Sequence, residues 1–221
     1  MTRNKLSQNR KRIVERAAKD IPDGCYINLG IGMPVEILGH LRDRDDVFVH
    51  TENGILGMRS LDEDETVDPD LVNASKLSIS IKPGASYFHH ADSFAIMRGG
   101  HLDYCVLGAY QVSATGDLAN WSLGRSDVAT AVGGAMDLVV GAKRVWVLME
   151  HVTRTGEPRL VDKCSLPLTG AGVVDRIYTD RATIDITDSG LVVRELVGTT
   201  TLAELHDITP VDLIDGREGT P

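Results

Sequence analysis

A glutamate stands where a nucleophile could act. Glu52 opens the segment Glu52-Asn53-Gly54, directly after the apolar stretch Val47-Phe48-Val49. A carboxylate at the C-terminal end of a parallel strand lies where open α/β sheets bind ligands, and it could serve as nucleophile, general base or metal ligand. The alternative, which the local pattern alone favours, is that Asn53-Gly54 forms a turn and Glu52 is a solvated turn residue.

Two glycine-rich segments could bring main chain close to a ligand. Gly30 and Gly32 follow an apolar stretch, but position 35 is Val, so the third glycine of a dinucleotide fingerprint is missing. A plain strand-to-helix turn is the simpler interpretation. The segment Gly133-Gly134-Ala135 precedes a predicted helix, whose free N–H groups could stabilise an anion. The same glycines could serve only to permit tight packing.

Several basic and metal-binding residue types also stand out. His89 and His90 are adjacent, so their side chains diverge on a helix or a strand and are poorly placed to hold one metal ion. Contact with an anion or packing is the better interpretation, and no metal site is predicted. Arg98, followed by two glycines, could bind a carboxylate with both arms of its guanidinium, although most such arginines are solvated surface residues.

The cysteines give weaker signals. The three thiols, Cys25, Cys105 and Cys164, cannot all pair within one chain, and their spacing predicts neither a disulfide framework nor a zinc site. A reduced, cytoplasmic protein is therefore expected. Cys164 could be a nucleophile with His151 as its base, but a buried and inert thiol is the more ordinary interpretation.

The elements that position these residues alternate between strand and helix. Residues 7–20 are expected to form a helix capped by Ser7, followed by a strand at 25–29, a helix from Pro34 to about Leu41 and a strand at 47–49. This order predicts a βαβ unit with a parallel sheet. The acidic segment 61–70 is expected to be a solvated loop. Residues 1–221 are interpreted as a single α/β domain, with later strands at 77–81, 103–108, 145–149 and 184–187 and helices near 91–98, 134–142 and 201–207.

Composition excludes several classes of protein. A formal charge of −9 over 221 residues argues against binding to a nucleic-acid backbone. No apolar run approaches the roughly 18 residues of a membrane span. The first residues are polar and lack the apolar stretch of a signal peptide, so no membrane association is expected.

Seven collinear segments together resemble the B subunits of the 3-oxoacid CoA-transferases. The resemblance extends from about residue 5 to 214, and a further likeness lies at Tyr87–Phe94. One departure follows Met58, where such subunits usually continue with Gly-Pro and this chain has Arg59-Ser60. The matching segments are Asn28–Pro34, Glu52–Gly57, Asp70–Ala74, Met97–Asp103, Gly116–Trp121, Gly133–Leu138 and Pro167–Gly170.

The resemblance implies a function and reverses the turn interpretation of Glu52. It implies ping-pong transfer of CoA between carboxylic acids, with Glu52 as the nucleophile and no metal or organic cofactor. CoA and succinyl-CoA would be substrates. A glutamate carboxylate is ionised at neutral pH and needs no general base. The resemblance also implies main-chain oxyanion donors at Gly134 and Ala135, with polar support from Asn28.

The same resemblance implies the remaining substrate contacts and the assembly. The expected acceptor is 3-oxoadipate, with acetoacetate as the alternative. It implies a three-layer α/β/α fold with a mostly parallel central sheet, and a separate A subunit that completes the site in an A₂B₂ heterotetramer. A non-catalytic protein that binds CoA esters or sugar phosphates is the competing hypothesis. The expected substrate-binding residues are Gly30, Gly32, Asn53, Gly54, His89, His90 and Arg98.

Overall fold

The computed structural model describes residues 7–125 and 130–217. The first six residues, on which the signal-peptide argument depends, lie outside the described part. No helix in the described ranges is long and apolar enough to span a bilayer. The helices are α1 (Gln8–Asp20), α2 (His90–Arg98), α3 (Ala135–Gly141) and α4 (Leu202–Asp207), with a 3₁₀ helix at Pro34–His40. The strands are β1 (Tyr26–Leu29), β2 (Phe48–Thr51), β3 (Ile55–Arg59), β4 (Ser80–Tyr87), β5 (Tyr104–Gly108), β6 (Gln111–Ser113), β7 (Leu118–Ala119), β8 (Arg144–Leu148), β9 (Leu160–Val161), β10 (Arg176–Tyr178), β11 (Ala182–Thr187), β12 (Gly190–Leu196) and β13 (Leu213–Asp215).

The main sheet has ten strands in the order β13-β12-β11-β10-β8-β5-β1-β2-β3-β4. Its central strands, β10-β8-β5-β1-β2, pair in parallel, as the alternating pattern predicts. Antiparallel pairs flank this centre, where β2 is followed by β3 and β10 by β11. A second sheet joins β6 to β7 and β9. The carboxyl ends of the parallel strands therefore share one edge.

Residue alternation along the central strands builds a core on each face of the sheet. On β8, Val145 and Val147 pack with α2, α3 and α4, whereas Trp146 and Leu148 pack on the side of α1. Strands with both faces covered are buried throughout, which is typical of parallel sheets. The result is the three-layer α/β/α arrangement that the resemblance implies.

The first helix matches its prediction and the second differs in type. Ser7 caps α1 by accepting a hydrogen bond from the Arg10 main chain at 3.4 Å, and the buried face of α1 includes Ile13, Val14 and Ala17. The segment from Pro34 to His40 is a 3₁₀ helix that ends with a Leu41 N to Leu38 O bond of 3.3 Å. Short helices adopt this tighter form readily because few i→i−4 bonds are lost.

The antiparallel strand β3 is not predicted by the sequence pattern. It pairs with β2 through His50↔Leu56 and Thr51↔Ile55, so residues 52–54 form the turn of a hairpin. Glu52 therefore follows a parallel strand and also lies in a turn, and the two interpretations of this segment are compatible.

The acidic loop is partly anchored rather than fully solvated. Glu65 accepts hydrogen bonds from both arms of Arg59 at 3.0 and 3.1 Å and also contacts the Ser80 hydroxyl. Its neighbours Asp62, Glu63 and Asp64 are exposed as expected. Arg59, which departs from the family pattern, thus holds the loop against the sheet.

Candidate active site

A cleft of about 540 Å³ opens at the carboxyl ends of the central strands. Its lining includes Gly30 after β1, Glu52 after β2, Ala109 after β5 and Glu150 after β8. Ligands bind at this edge in open α/β folds because successive loops diverge there. The volume lies in the range of small-molecule sites.

Glu52 and Gly134 meet in this cleft. Glu52 is half-buried. A Cβ added at Gly134 would collide with Glu52 Oε2 and lie 3.3 Å from Cζ of Phe94. Gly134 is the N-cap of α3 and Ala135 is its first residue, and the first N–H groups of a helix have no intrahelical acceptor. The fold therefore places the carboxylate of Glu52 against a glycine at the start of a helix.

A buried hydrogen-bonded chain lies behind Glu52. Asn28 Nδ2 donates to Nδ1 and to the main-chain oxygen of His50, at 3.0 and 3.2 Å. His50 Nε2 lies 2.9 Å from Ser93 Oγ. Burial lowers the pKa of His50 to about 4, so its ring is neutral at pH 7. A neutral ring that accepts at Nδ1 donates from Nε2, and the chain fixes the orientation of the Asn28 amide.

His50 and Ser93 complete the hydrogen-bonded chain behind Glu52, and sequence reasoning misses both. His50 lies two residues before Glu52, and the two-residue period of a strand is the signal that could have linked it to the site. Ser93 lies on α2, 43 positions away from His50 along the chain. No local pattern connects those two residues.

The structure brings only part of the predicted set into the cleft. Among the described residues that line it are five of the predicted ones, namely Asn28, Gly30, Glu52, Gly134 and Ala135. The others, Gly32, Asn53, Gly54, His89, His90 and Arg98, are not part of that lining.

The residues outside the lining have contacts of their own. Asn53 Nδ2 donates to the main-chain oxygen of Val72 at 2.8 Å. His89 caps α2, since its Nδ1 accepts from Ala91 N at 3.1 Å, and the His90 ring packs against Phe94. Arg98 Nε donates to Asp137 Oδ1 at 2.6 Å.

The alternative pair of Cys164 and His151 is not supported. Burial is the main cause that raises the pKa of the Cys164 thiol to about 11, so it is protonated at neutral pH. The His151 ring nitrogens lie 3.2 Å from the Thr179 hydroxyl and 2.9 Å from the Thr209 hydroxyl. His151 is fully buried, whereas Cys164 is partly exposed. In the two described ranges, no cluster of three or more His, Cys, Asp or Glu residues could hold a metal ion.

Comparison with known proteins decides the family. The family model described as Coenzyme A transferase matches residues 10–210. The chain belongs to this family. The match identifies the chain as a CoA-transferase, and the B-subunit relatives described next confirm the resemblance to B subunits of 3-oxoacid CoA-transferases.

Named relatives cover nearly the whole chain. It is 49% identical over 219 residues to the B subunit of the 3-oxoadipate CoA-transferase of Acinetobacter baylyi, covering 99% of this chain and 100% of that protein. It is 45% identical over 207 residues to the B subunit of the probable succinyl-CoA:3-ketoacid coenzyme A transferase of Bacillus subtilis, covering 94% and 95% of the two chains.

A solved structure supports the fold. An acyl-CoA transferase from Escherichia coli O157:H7 superposes with a TM-score of 0.76 at 17% identity, covering 98% of this chain. The present chain spans 43% of that longer chain. At this identity the likeness shows the three-layer fold.

Proposed function

We propose that this CoA-transferase is a B subunit that moves CoA from succinyl-CoA to a 3-oxoacid, with 3-oxoadipate as the preferred acceptor. The observation that carries the proposal is the contact between Glu52 and Gly134 in a cleft at the carboxyl edge of the sheet. The names of the two B-subunit relatives support the choice of substrates.

The chemistry begins with the Glu52 carboxylate. One of its oxygens attacks the thioester carbonyl of succinyl-CoA, the carbon–sulfur bond breaks, and a mixed anhydride and CoA thiolate form. The thiolate then attacks the glutamyl carbonyl and releases succinate, which leaves a glutamyl-CoA thioester. The acceptor carboxylate reverses these steps and leaves as its CoA ester, so no proton is gained or lost and no oxidant is needed.

Each attack creates a tetrahedral oxyanion close to Glu52. The main-chain N–H groups of Gly134 and Ala135 are proposed to stabilise it, because they belong to the start of α3 beside the carboxylate. Losing one such donor commonly lowers the rate by ~10²–10³. Asn28 is proposed to support this site with an amide that His50 holds in place. No metal or organic cofactor takes part in these steps.

The assembly and location are part of the same proposal. An A subunit would cover the cleft in an A₂B₂ heterotetramer, and the enzyme would act in the cytoplasm on CoA and succinyl-CoA as substrates. Covering the cleft would protect the anhydride and the thioester from hydrolysis.

The decisive experiment looks for the covalent intermediate. We expect the A–B complex incubated with succinyl-CoA to carry a CoA adduct on the peptide that contains Glu52, detected by mass spectrometry. Glu52→Gln should lose turnover and the adduct while retaining its fold, because an amide is nearly isosteric but a poor nucleophile. Glu63→Gln, which removes an exposed carboxylate from the acidic loop, is the matched control and should behave as wild type.

The adduct also separates an enzyme from a binding protein. A complex that binds CoA esters but forms no adduct, or a fully active Glu52→Gln complex, would contradict the proposed mechanism. The Bacillus relative is named for a 3-ketoacid without a specified chain, and acetoacetate, a short 3-oxoacid, is the second candidate acceptor. A higher kcat/KM for acetoacetate than for 3-oxoadipate would replace the proposed acceptor.

A further inference from the structure

Arg159 contributes a guanidinium to the cleft with part of its donor set unused. Its main chain is held on both sides, by Arg159 N to His151 O at 3.1 Å and by Val112 N to Arg159 O at 2.9 Å. Nη1 donates to Ala109 O at 3.2 Å. Nε is buried, yet no acceptor for it lies within the described ranges. Buried donors are normally paired, so this atom requires an explanation.

The free donors of Arg159 lie on one edge. Because Nη1 is occupied, Nε and Nη2 remain, and neither has an acceptor among residues 7–125 and 130–217. In a guanidinium these two N–H groups are parallel and spaced to match the two oxygens of a carboxylate. Nη2 is the donor that a ligand in the cleft can reach directly, and Nε is buried beside it. The anchored main chain and the Nη1 bond hold this edge in place, which reduces the entropy lost when a carboxylate binds.

The second arginine of the cleft already has a carboxylate. Arg10 donates to both oxygens of Glu150, from Nε and Nη2, at 3.3 Å each. No carboxylate of the described part of the chain lies within ion-pair distance of Arg159. Arg159 therefore supplies a positive charge to the cleft that the described residues do not neutralise.

The position of Arg159 suits the far end of a substrate. Its Nη1 is bound at the end of β5, and β5 and β2 are separated by β1 alone. Two strand spacings place the β5 end about 10 Å from the β2 end, where Glu52 lies. Between these ends the cleft is lined by apolar side chains that include Leu29 and Leu107. A substrate whose carboxylate binds Arg159 and whose reacting carbonyl carbon lies at Glu52 would therefore place the methylene groups between them against this apolar lining.

From this arrangement we infer that Arg159 binds the distal carboxylate of a dicarboxylic acceptor and so sets the preference for dicarboxylic over monocarboxylic 3-oxoacids. The inference rests on the proposed function, since it takes Glu52 as the point of attack. A six-carbon 3-oxo dicarboxylate fits the distance, with hydrogen bonds to Arg159 completing the span.

The test compares two acceptors that differ only in the distal carboxylate. Using the A–B complex and one donor, kcat/KM is measured for 3-oxoadipate and for 3-oxohexanoate. We expect Arg159→Gln to lower kcat/KM for 3-oxoadipate by about 10- to 100-fold, the usual range for a hydrogen bond to a charged group, and to change the value for 3-oxohexanoate by less than about threefold. Arg159→Lys should retain part of the preference, because an ammonium keeps the charge but lacks the two-armed geometry.

A matched control and a binding measurement complete the design. Arg154→Gln removes the same charge from an exposed position of the same segment and should leave the ratio of the two kcat/KM values unchanged. Calorimetric titration of the complex with adipate and with hexanoate should show a preference for adipate that Arg159→Gln abolishes.

Different results would overturn different claims. Equal losses of kcat/KM on both acceptors would mean that Arg159 anchors the segment or contacts CoA, and unchanged kcat/KM values for both acceptors would mean that it does not bind the carboxylate. Either result overturns the inference. Absence of transfer to any acceptor, with the preference for adipate intact and dependent on Arg159, would contradict the proposed function and support the carboxylate site.

Discussion

At the scale of residues, the site depends on the absence of a side chain at position 134. Gly134 has φ −73°, a conformation open to any L-residue, so backbone freedom does not explain the glycine. Lack of space explains the glycine, because a Cβ at position 134 would collide with Glu52 Oε2. The close approach lets main-chain N–H groups lie beside the carboxylate.

Gly134→Ala should therefore impair transfer without unfolding the protein. The methyl group must displace the Glu52 carboxylate, and a misplacement of about 1 Å can cost ~10² in rate. We expect kcat to fall by about that factor in the A–B complex, while the thermal unfolding midpoint changes little. Gly39→Ala, where a Cβ meets nothing within 4 Å, is the control. Equal kcat values for the two variants would show that the contact at Gly134 is unimportant.

At the scale of elements, the turn of the β2–β3 hairpin positions Glu52 in the cleft. Gly54 closes its turn with φ +108°, and Phe88 N donates to Gly54 O at 3.0 Å. A Cβ at this position would collide with the Phe88 main-chain oxygen. The turn thus needs glycine both for its conformation and for the approach of the segment that precedes α2.

Gly54→Ala should destabilise the chain more than a positive φ alone would. Gly24 also has positive φ, at +72°, but a Cβ there meets nothing within 4 Å. We expect Gly24→Ala to lower the free energy of unfolding by about 1 kcal/mol, and Gly54→Ala by roughly 2–3 kcal/mol with loss of turnover. Urea unfolding at pH 7.5 measures both. A Gly54→Ala variant no less stable than Gly24→Ala would contradict the close approach at Phe88.

At the scale of the whole molecule, two buried histidines far apart in the chain couple folding to pH. His50 lies behind Glu52 and His151 follows β8, and burial lowers the pKa of each to about 4. Between pH 4 and 6.5 the unfolded chain protonates both rings and the folded chain does not. The contribution of the two neutral rings to the free energy of unfolding is therefore complete above about pH 6.5 and is lost as the pH falls toward 4.

The free energy of unfolding should fall between pH 7.5 and pH 5. The shifts correspond to a loss on the order of 2 kcal/mol for each histidine over this interval. His151→Gln removes one of the two titrating rings. The free energy of unfolding of this variant should therefore depend less steeply on pH, whatever its value at pH 7.5. Urea unfolding across this pH range tests the expectation, and a wild-type curve without slope would contradict it.

The exposed cleft predicts that activity requires a partner subunit. Ile31, which lines the cleft, is 72% exposed, and Met136 beside Ala135 is 50% exposed. We expect the isolated chain to show no transferase activity and the A–B mixture to restore it, because an uncovered site admits water to the anhydride. Full turnover by the isolated chain in a spectrophotometric assay would contradict the need for a partner.

The sequence by itself determined the order of elements and the main candidate catalytic residues. Helix caps and strand patterns depend on neighbouring residues. The helix starts at Ser7 and Pro34 and the apolar strand β8 could therefore be predicted without coordinates. The likeness of several collinear segments added Glu52 and Gly134, which no single motif establishes. The strands β3, β12 and β13 were missed. β3 and β13 span only five and three residues, and the seven-residue β12 is apolar only over Leu191–Val193 before charged residues follow.

Only the tertiary structure decided which groups share the cleft. His89, His90 and Arg98 have the residue types for binding a carboxylate, yet His89 caps α2, His90 packs against Phe94, and Arg98 pairs with Asp137. Arg159 carries no motif, and it reaches the cleft because β9, which follows it, pairs with β6 in the second sheet and its Nη1 bonds to Ala109 at the end of β5. Side-chain chemistry can be read from the sequence, but which donors stay unpaired depends on packing between residues far apart in the chain.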